Sequence, residues 1–311
     1  MNRLILGMAM VLVVGIPLVG VLYFLDQHRD AGPSMVQRAI VASEDAVRKN
    51  PNVIGSRLQL AAAYFTAERY ADAIDQYGQV LKAETGNRPA LLGRGQALVA
   101  SGDLPAAARD YQAVIDAAKS EEMAGSDTQL QTAYYSLGSI QLTQGRARDA
   151  VDSLKAALGI NRTDADALLA LGTALTQTGD AKNAVIAFRK AAALVPTGWC
   201  EPYAGLQTAY QALGQPAGAQ YAGAMAAFCG NQPDLAKERL QALSSGEFAV
   251  DALVGLALIA ENERDAAAAA DYYDQVLAKD SQNFAAITGL NRVTQPGASP
   301  APSTPAGGSG S

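Results

Sequence analysis

Histidine and tryptophan each occur once in the 311 residues and cysteine twice, and that scarcity removes most catalytic chemistry. The lone His28 stands outside the patterned part of the chain, so no histidine-based triad can assemble. Two cysteines and one remote histidine cannot complete a usual zinc set. No glycine-rich phosphate loop precedes a helix in a βαβ setting. Charged residues make up 17% of the chain, with 24 Lys and Arg against 30 Asp and Glu and a net charge of -6. No basic run occurs, which argues against a nucleic-acid partner. The Glu121-Glu122 pair lies in a polar insertion and reads as solvated. These absences predict a non-catalytic protein with no cofactor and no metal. Aromatics are also few, at 6%, so the 49% of hydrophobic residues must form a core mainly of Ala, Leu and Val.

Charge is missing altogether from Leu4 to Leu25, "LILGMAMVLVVGIPLVGVLYFL", a run whose length as a helix is about 33 Å, enough to span a bilayer. A secretory signal peptide would have a shorter apolar region and a small-residue cleavage site, which "YFLDQHRD" lacks. The expectation is an uncleaved transmembrane anchor over 4–25, after a short tail at 1–3 and before a linker at 26–33. Gly15 and Pro17 can bend it, and Tyr23 and Phe24 fall where an interfacial belt sits. Arg3 and the terminal amine favour a cytoplasmic N-terminus, against Arg29, Arg38, Arg48 and Lys49 on the other flank. The reading is a single-pass protein of the cell (inner) membrane, N-terminus in, with the bulk periplasmic or extracellular.

The remainder repeats itself. "LLALGTALTQTGDAKNAVIAFRKAAALVP", Leu168 to Pro196, has Leu168, Leu171 and Leu175, then Val185, Phe188 and Ala192, at helical spacing around a Gly179-Asp180 turn. Gly172 and Ala184 are small where two helix backbones cross closely. The same offsets recur as Leu137, Gly138, Gly145, Ala150 and Leu154; as Gly95, Gly102, Ala107 and Tyr111; and as Leu60, Ala61, Tyr64, Ala73 and Tyr77. Looser copies run through Leu206, Tyr210, Gly214 and Ala219, and through Leu256, Ala257, Ala269 and Tyr273.

With a spacing of about 34 residues, this pattern resembles the tetratricopeptide repeat (TPR) family, W-x2-L-G-x2-Y…A-x3-F…P. Tyr134-x2-Leu137-Gly138 and Leu168-x2-Leu171-Gly172 match best, whereas Arg57, Leu91, Leu168 and Leu253 replace the family's Trp. The resemblance implies an all-α, right-handed α-solenoid of about six hairpins, near 54–87, 88–121, 131–164, 165–198, 200–233 and 250–283, within a solenoid region 52–293. It also implies that the first helix of each hairpin lines a concave face that binds protein or peptide partners. The residues there are Gln59, Phe65, Leu92, Gln96, Tyr135, Ser139, Leu169, Thr173, Gln177, Thr208 and Gln211. None is cationic, which argues against a carboxylate clamp. Apolar anchors beside amides and hydroxyls instead suit an extended or helical segment. The resulting expectation is a membrane-anchored scaffold with a neutral groove, acting in assembly of an envelope complex. The alternative is an extracytoplasmic, chaperone-like holdase for exported chains.

Two insertions interrupt the period, "SEEMAGSD" at 120–127 and "DLAKERLQALSSGEFA" at 234–249. In the second, Leu235, Leu240 and Leu243 predict an extra helix that alters the superhelical pitch. Residues 34–51 read as a capping helix with Ala39, Ile40, Ala46 and Val47 inward, ending at Pro51. Phe284, Ile287, Leu290 and Val293 read as a short amphipathic helix covering the last hairpin, and 294–311 as a disordered Pro/Gly/Ser tail. Cys200 and Cys229 fall at the same end of the fifth hairpin. They are either a disulfide closing a loop of about 30 residues or two buried thiols acting as small hydrophobes.

Overall fold

The computed structural model describes residues 34–118 and 127–294. The expected tail, anchor and linker at 1–33, with His28, lie outside the described residues, as do Glu121-Glu122, nearly all of the first insertion, and 295–311. Among the described residues no helix is long and apolar enough to cross a membrane.

Those residues form fifteen helices and no strands: α1 Met35–Lys49, α2 Ile54–Thr66, α3 Tyr70–Ala83, α4 Arg88–Ser101, α5 Leu104–Ala118, α6 Thr128–Thr143, α7 Ala147–Ile160, α8 Ala165–Gln177, α9 Ala181–Leu194, α10 Glu201–Ala212, α11 Pro216–Cys229, α12 Pro233–Leu243, α13 Ala249–Asn262, α14 Ala266–Lys279 and α15 Phe284–Thr294. The chain divides into two compact units, Met1–Ala107 and Ala108–Ser311. In the first unit α1 packs on α2, α2 on α3, and α3 on α4. The second holds the hairpins α6/α7, α8/α9, α10/α11 and α13/α14, each helix packing on the next from α6 through α15.

Helix ends follow from a few side chains. Asn87, Asp164, Asp180 and Asp265 each accept a hydrogen bond from a backbone N–H three residues on, which satisfies a donor that a helix start leaves unpaired. Each turn between paired helices needs one left-handed residue. Glycine provides it at Gly102, Gly145, Gly179 and Gly214, but Glu68 (φ 59°) and Arg264 (φ 63°) hold the same place in the α2/α3 and α13/α14 turns.

The regular small residues mark helix crossings. A Cβ on Gly172 would stand 2.6 Å from the Phe188 ring, and one on Gly138 would stand 2.7 Å from Leu154 Cγ, the residue at the same offset. A second set receives an aromatic ring from the preceding hairpin: Gly93 faces Tyr77, Gly205 faces Phe188 and Gly289 faces Tyr273. Phe188 is thus held between glycines of α8 and α10. Hairpin α10/α11 reverses the sizes, with the Gln207 amide against Gly223. Ala73, Ala107, Ala150, Ala184 and Ala269, at one recurring position, are fully buried.

The expected extra helix is present as α12, with Leu240 and Leu243 buried, and it packs between α11 and α13. Two expectations about the terminal helices are corrected. On α1, Ile40 is buried and Ala46 and Val47 are half-buried, but Ala39 is exposed. On α15, Leu290 and Val293 pack inward beside Ala286 and Gly289, but Phe284 and Ile287 face solvent. Both departures have one cause. A repeat helix has two packing faces, and among the described residues these terminal helices have a neighbour for only one of them.

Candidate functional site

The expected groove residues all lie on first helices of hairpins. In the first unit Gln59 and Gln96 are exposed, Leu92 is half-buried, and the half-buried Phe65 ring lies 5.6 Å from Tyr70, tilted by 58°. In the second unit Tyr135 and Leu169 are half-buried and pack against the core. Gln177, Thr208 and Gln211 are exposed. The hydroxyls are engaged by their own helices: Ser139 donates to Tyr135 O (3.0 Å), Thr173 to Leu169 O (3.1 Å) and Thr208 to Ala204 O (3.2 Å). Their donors are therefore not offered to a bound backbone.

Two carboxylates, Asp164 and Asp166, stand beside this face. Gln131 of α6 donates to Asp164 at the start of α8. Burial, reinforced by the charge of Asp166, raises the Tyr135 hydroxyl above its ordinary pKa. Asp166 is itself raised, first by burial and then by Asp164. The α6–α8 face is thus acidic at its edge rather than neutral. Farther along, Gln211 joins Gln207, Gln220, Glu238 and Arg239 around an open hollow of about 540 Å³ between α10, α11 and α12.

A different cavity gathers more chemistry. Within the second unit a cleft of about 460 Å³ is lined by α9, α10, α11, α13, α14 and α15, and none of the eleven expected groove residues reaches it. Its walls are apolar, with Ala192 and Ala193 of α9, Leu206 of α10, and Val250, Val254 and Leu258 of α13. Phe284, 81% exposed, stands at its edge. The inserted α12 packs between α11 and α13. Asp251 of α13 meets Arg189 of α9 across the cleft, with Nη2–Oδ1 at 2.6 Å and Nη1–Oδ2 at 3.2 Å.

The cleft's polar groups are mostly paired. Burial opposes the Arg189 charge, but Asp251 and the Tyr210 hydroxyl at 3.3 Å outweigh it, so the guanidinium is held above its ordinary pKa. Tyr203 donates to Pro196 O (3.0 Å), and burial, followed by the charge of Asp251, raises its hydroxyl. At the far end Arg292 of α15 clasps Glu261 of α13 at 2.6 and 2.7 Å, and Tyr273 donates to the same carboxylate. Tyr221 differs. Its ring stacks on Phe248 at 5.9 Å and lines the cleft, burial raises its hydroxyl well above the ordinary value, and that hydroxyl has no hydrogen-bond partner among the described residues. The site thus offers apolar walls, two neutralised ion pairs and the hydroxyls of Tyr221 and Thr288.

Cys200, at the N-cap of α10, and Cys229, the last residue of α11, are joined as a disulfide with Cα atoms 5.4 Å apart. The bond fastens two cleft-lining helices at one end. Among the described residues no group of three or more His, Cys, Asp or Glu side chains could hold a metal ion.

The sequence carried partial signals for the cleft. The α12 insertion was visible, and so was the apolar Phe284. Arg189 and Asp251, 62 residues apart, were not, because nothing local relates them.

The model of the tetratricopeptide repeat matches residues 58–122, 135–198 and 221–284, more than half of the chain. A curated relative, cellulose synthase 1 operon protein C of Komagataeibacter xylinus, is 32% identical over 158 residues, which is 49% of this chain and 11% of that protein. The chain therefore spans about a tenth of that relative's length. Among solved structures, MamA is similar with a TM-score of 0.50 and 25% identity, over 56% of this chain and 95% of that one. YrrB, described as a TPR protein with an unusual peptide-binding site, matches with a TM-score of 0.54 and 18% identity, over 65% of this chain and all of YrrB. The C-terminal part of a TPR repeat-containing protein from Cytophaga hutchinsonii matches with a TM-score of 0.52 and 21% identity, over 82% of this chain and 94% of that one. Family model, repeat register and helix pairing agree: the chain belongs to the tetratricopeptide repeat family.

Proposed function

We propose that the protein is a non-catalytic, membrane-anchored scaffold that holds a partner of an envelope complex by an extended segment of that partner. The segment seats apolar side chains in the cleft between α9 and α15. The observation that carries this reading is the cleft itself, where apolar side chains of α9, α10 and α13 surround the half-buried Tyr221, whose hydroxyl bonds to none of the described residues. That hydroxyl is able to donate to a peptide carbonyl while adjacent apolar side chains of the peptide fill the cavity. The two arginines are neutralised by Asp251 and Glu261, so the preferred segment is uncharged. The cavity volume of about 460 Å³ is within the range that binds small ligands or a few side chains. The uncharged run at 4–25 supplies the tether, and the disulfide supports an oxidising, extracytoplasmic setting for the repeats.

The experiment is a binding survey of short peptides against the full chain in detergent, repeated with Tyr221→Phe and Val254→Glu. The expected result is selection of uncharged peptides with two apolar side chains, several-fold weaker binding to Tyr221→Phe, and none to Val254→Glu. Equal binding to all three proteins would overturn the cleft as the site. Release of the protein from membranes by an alkaline carbonate wash would overturn the tether independently.

A further inference from the structure

The two ends of the described chain are complementary halves of one hairpin. Helix α1 is in register with the second helices: Ala39 occupies the place of Ala73, Ala184 and Ala269, each 0% exposed, yet Ala39 is exposed. Helix α15 is in register with the first helices: Ile287 occupies the place of Leu91, Leu168 and Leu253, which are 2–5% exposed, yet Ile287 is 41% exposed. Thus α1 presents the face that a first helix covers elsewhere, and α15 the face that a second helix covers.

The sequence next to each helix does not carry the matching stripe. After α15, "QPGASPAPSTPAGGSGS" has four prolines and no large apolar residue. Before α1, the places that hold Leu206 and Tyr210 in a first helix carry Asp26 and Asp30. A second copy supplies both halves. We propose that α15 of one molecule docks on α1 of the next, completing a hairpin between chains.

Side-chain sizes fit this pairing. Within hairpins, the residue at the Gly138 and Gly172 position meets the one sixteen places later, Leu154 or Phe188, small against large. On α15 that first position is Asn291, and on α1 the second is Ser43. The order is large against small, as in Gln207 against Gly223, a pair already in contact in α10/α11. Asn291 and Ser43 are also able to hydrogen-bond to each other. Because the two surfaces differ, the interface is heterologous and propagates into a head-to-tail array unless its rotation closes a ring.

The test uses the full chain in detergent, with a short bismaleimide as crosslinker. Two variants are made, Ser43→Cys and Asn291→Cys, both at positions that are not fully buried. The expected result is a covalent dimer only when the two variants are mixed, and a ladder of higher species when one chain carries both changes. The control is Ile287→Glu added to the Asn291→Cys chain, which should abolish the mixed dimer while leaving the helical circular dichroism intact. Dimers from either variant alone would show a symmetric contact and overturn the proposal. So would a purely intramolecular link in the double variant, or no crosslink while the circular dichroism remains native.

Discussion

Replacing Gly205 by alanine tests the packing logic where it is tightest. Phe188 is 2% exposed, and a Cβ at Gly205 would lie 2.4 Å from the ring's Cζ and 2.5 Å from Cε1. The ring cannot retreat, because on α8 the Cβ position of Gly172 is already 2.6 Å from its Cδ1 and Cε1. Overpacking of this kind costs about 1–3 kcal/mol. Alanine's better helix propensity offsets about 0.8–1 kcal/mol of it. The net expectation is a loss of up to about 2 kcal/mol against the parent, and of about 1–3 kcal/mol against a glycine-to-alanine change with open space. The assay is urea unfolding followed by far-ultraviolet circular dichroism on the full chain, with midpoints compared under identical conditions, since a repeat stack need not unfold in one step. Two controls separate the terms. Gly78→Ala, in α3 with nothing within 4 Å of the added Cβ, should gain the propensity term alone. Adding Phe188→Leu to Gly205→Ala should recover part of the loss through a coupling between contacting residues. A Gly205→Ala midpoint at or above that of the parent, with Gly78→Ala shifting by the same amount, would refute the reasoning.

Further outcomes follow from the turns, the caps and the links between helices. Glu68→Gly and Arg264→Gly relieve left-handed strain worth about 1–2 kcal/mol, less the entropy glycine brings, so each should raise the unfolding midpoint by the equivalent of about 0.5–1 kcal/mol. A lowered midpoint would show that the side chain matters more than φ. The side-chain and backbone N–H groups of Asn183 hold Asp180 below the ordinary carboxylate range, so its contribution is present at neutral pH and lost as pH falls through the folded value. Asp180→Ala should therefore differ from the parent at pH 7 and converge with it in acid, as read by melting at each pH. Reduction of Cys200–Cys229, which closes a separation of 29 residues, should lower stability by about 3–4 kcal/mol on the chain-entropy view. Hydrogen exchange should place that loss in α10 and α11. The Arg189–Asp251 pair is bidentate but partly exposed, so a double-mutant cycle with Arg189→Met and Asp251→Asn should give a coupling of only about 1 kcal/mol.

The repeat period explains which parts of the structure were legible. Gly179 and Asp180 marked a turn and a cap, and both serve so. Gly172 and Ala184 marked a crossing, and Phe188 fills the space at Gly172. The Leu240–Leu243 spacing marked α12. The terminal helices differ from expectation because periodicity gives a helix its stripes but does not say whether a neighbour exists for each, and Ala39 and Ile287 lie on stripes that have none among the described residues. The expected groove residues fall on first helices, but their spacing did not show that the Ser139, Thr173 and Thr208 donors bond to their own backbones or that Asp166 stands by Tyr135.

Sequence alone determined the helices, their turns and their pairing, because these depend on residues within one period, where side-chain size and backbone preference act directly. Tertiary structure alone decided the cleft. Its walls come from six helices distant in sequence, and a contact such as Arg189 with Asp251 depends on the summed orientations of every packing step between them. Each local pattern constrains one step, and no pattern records their sum.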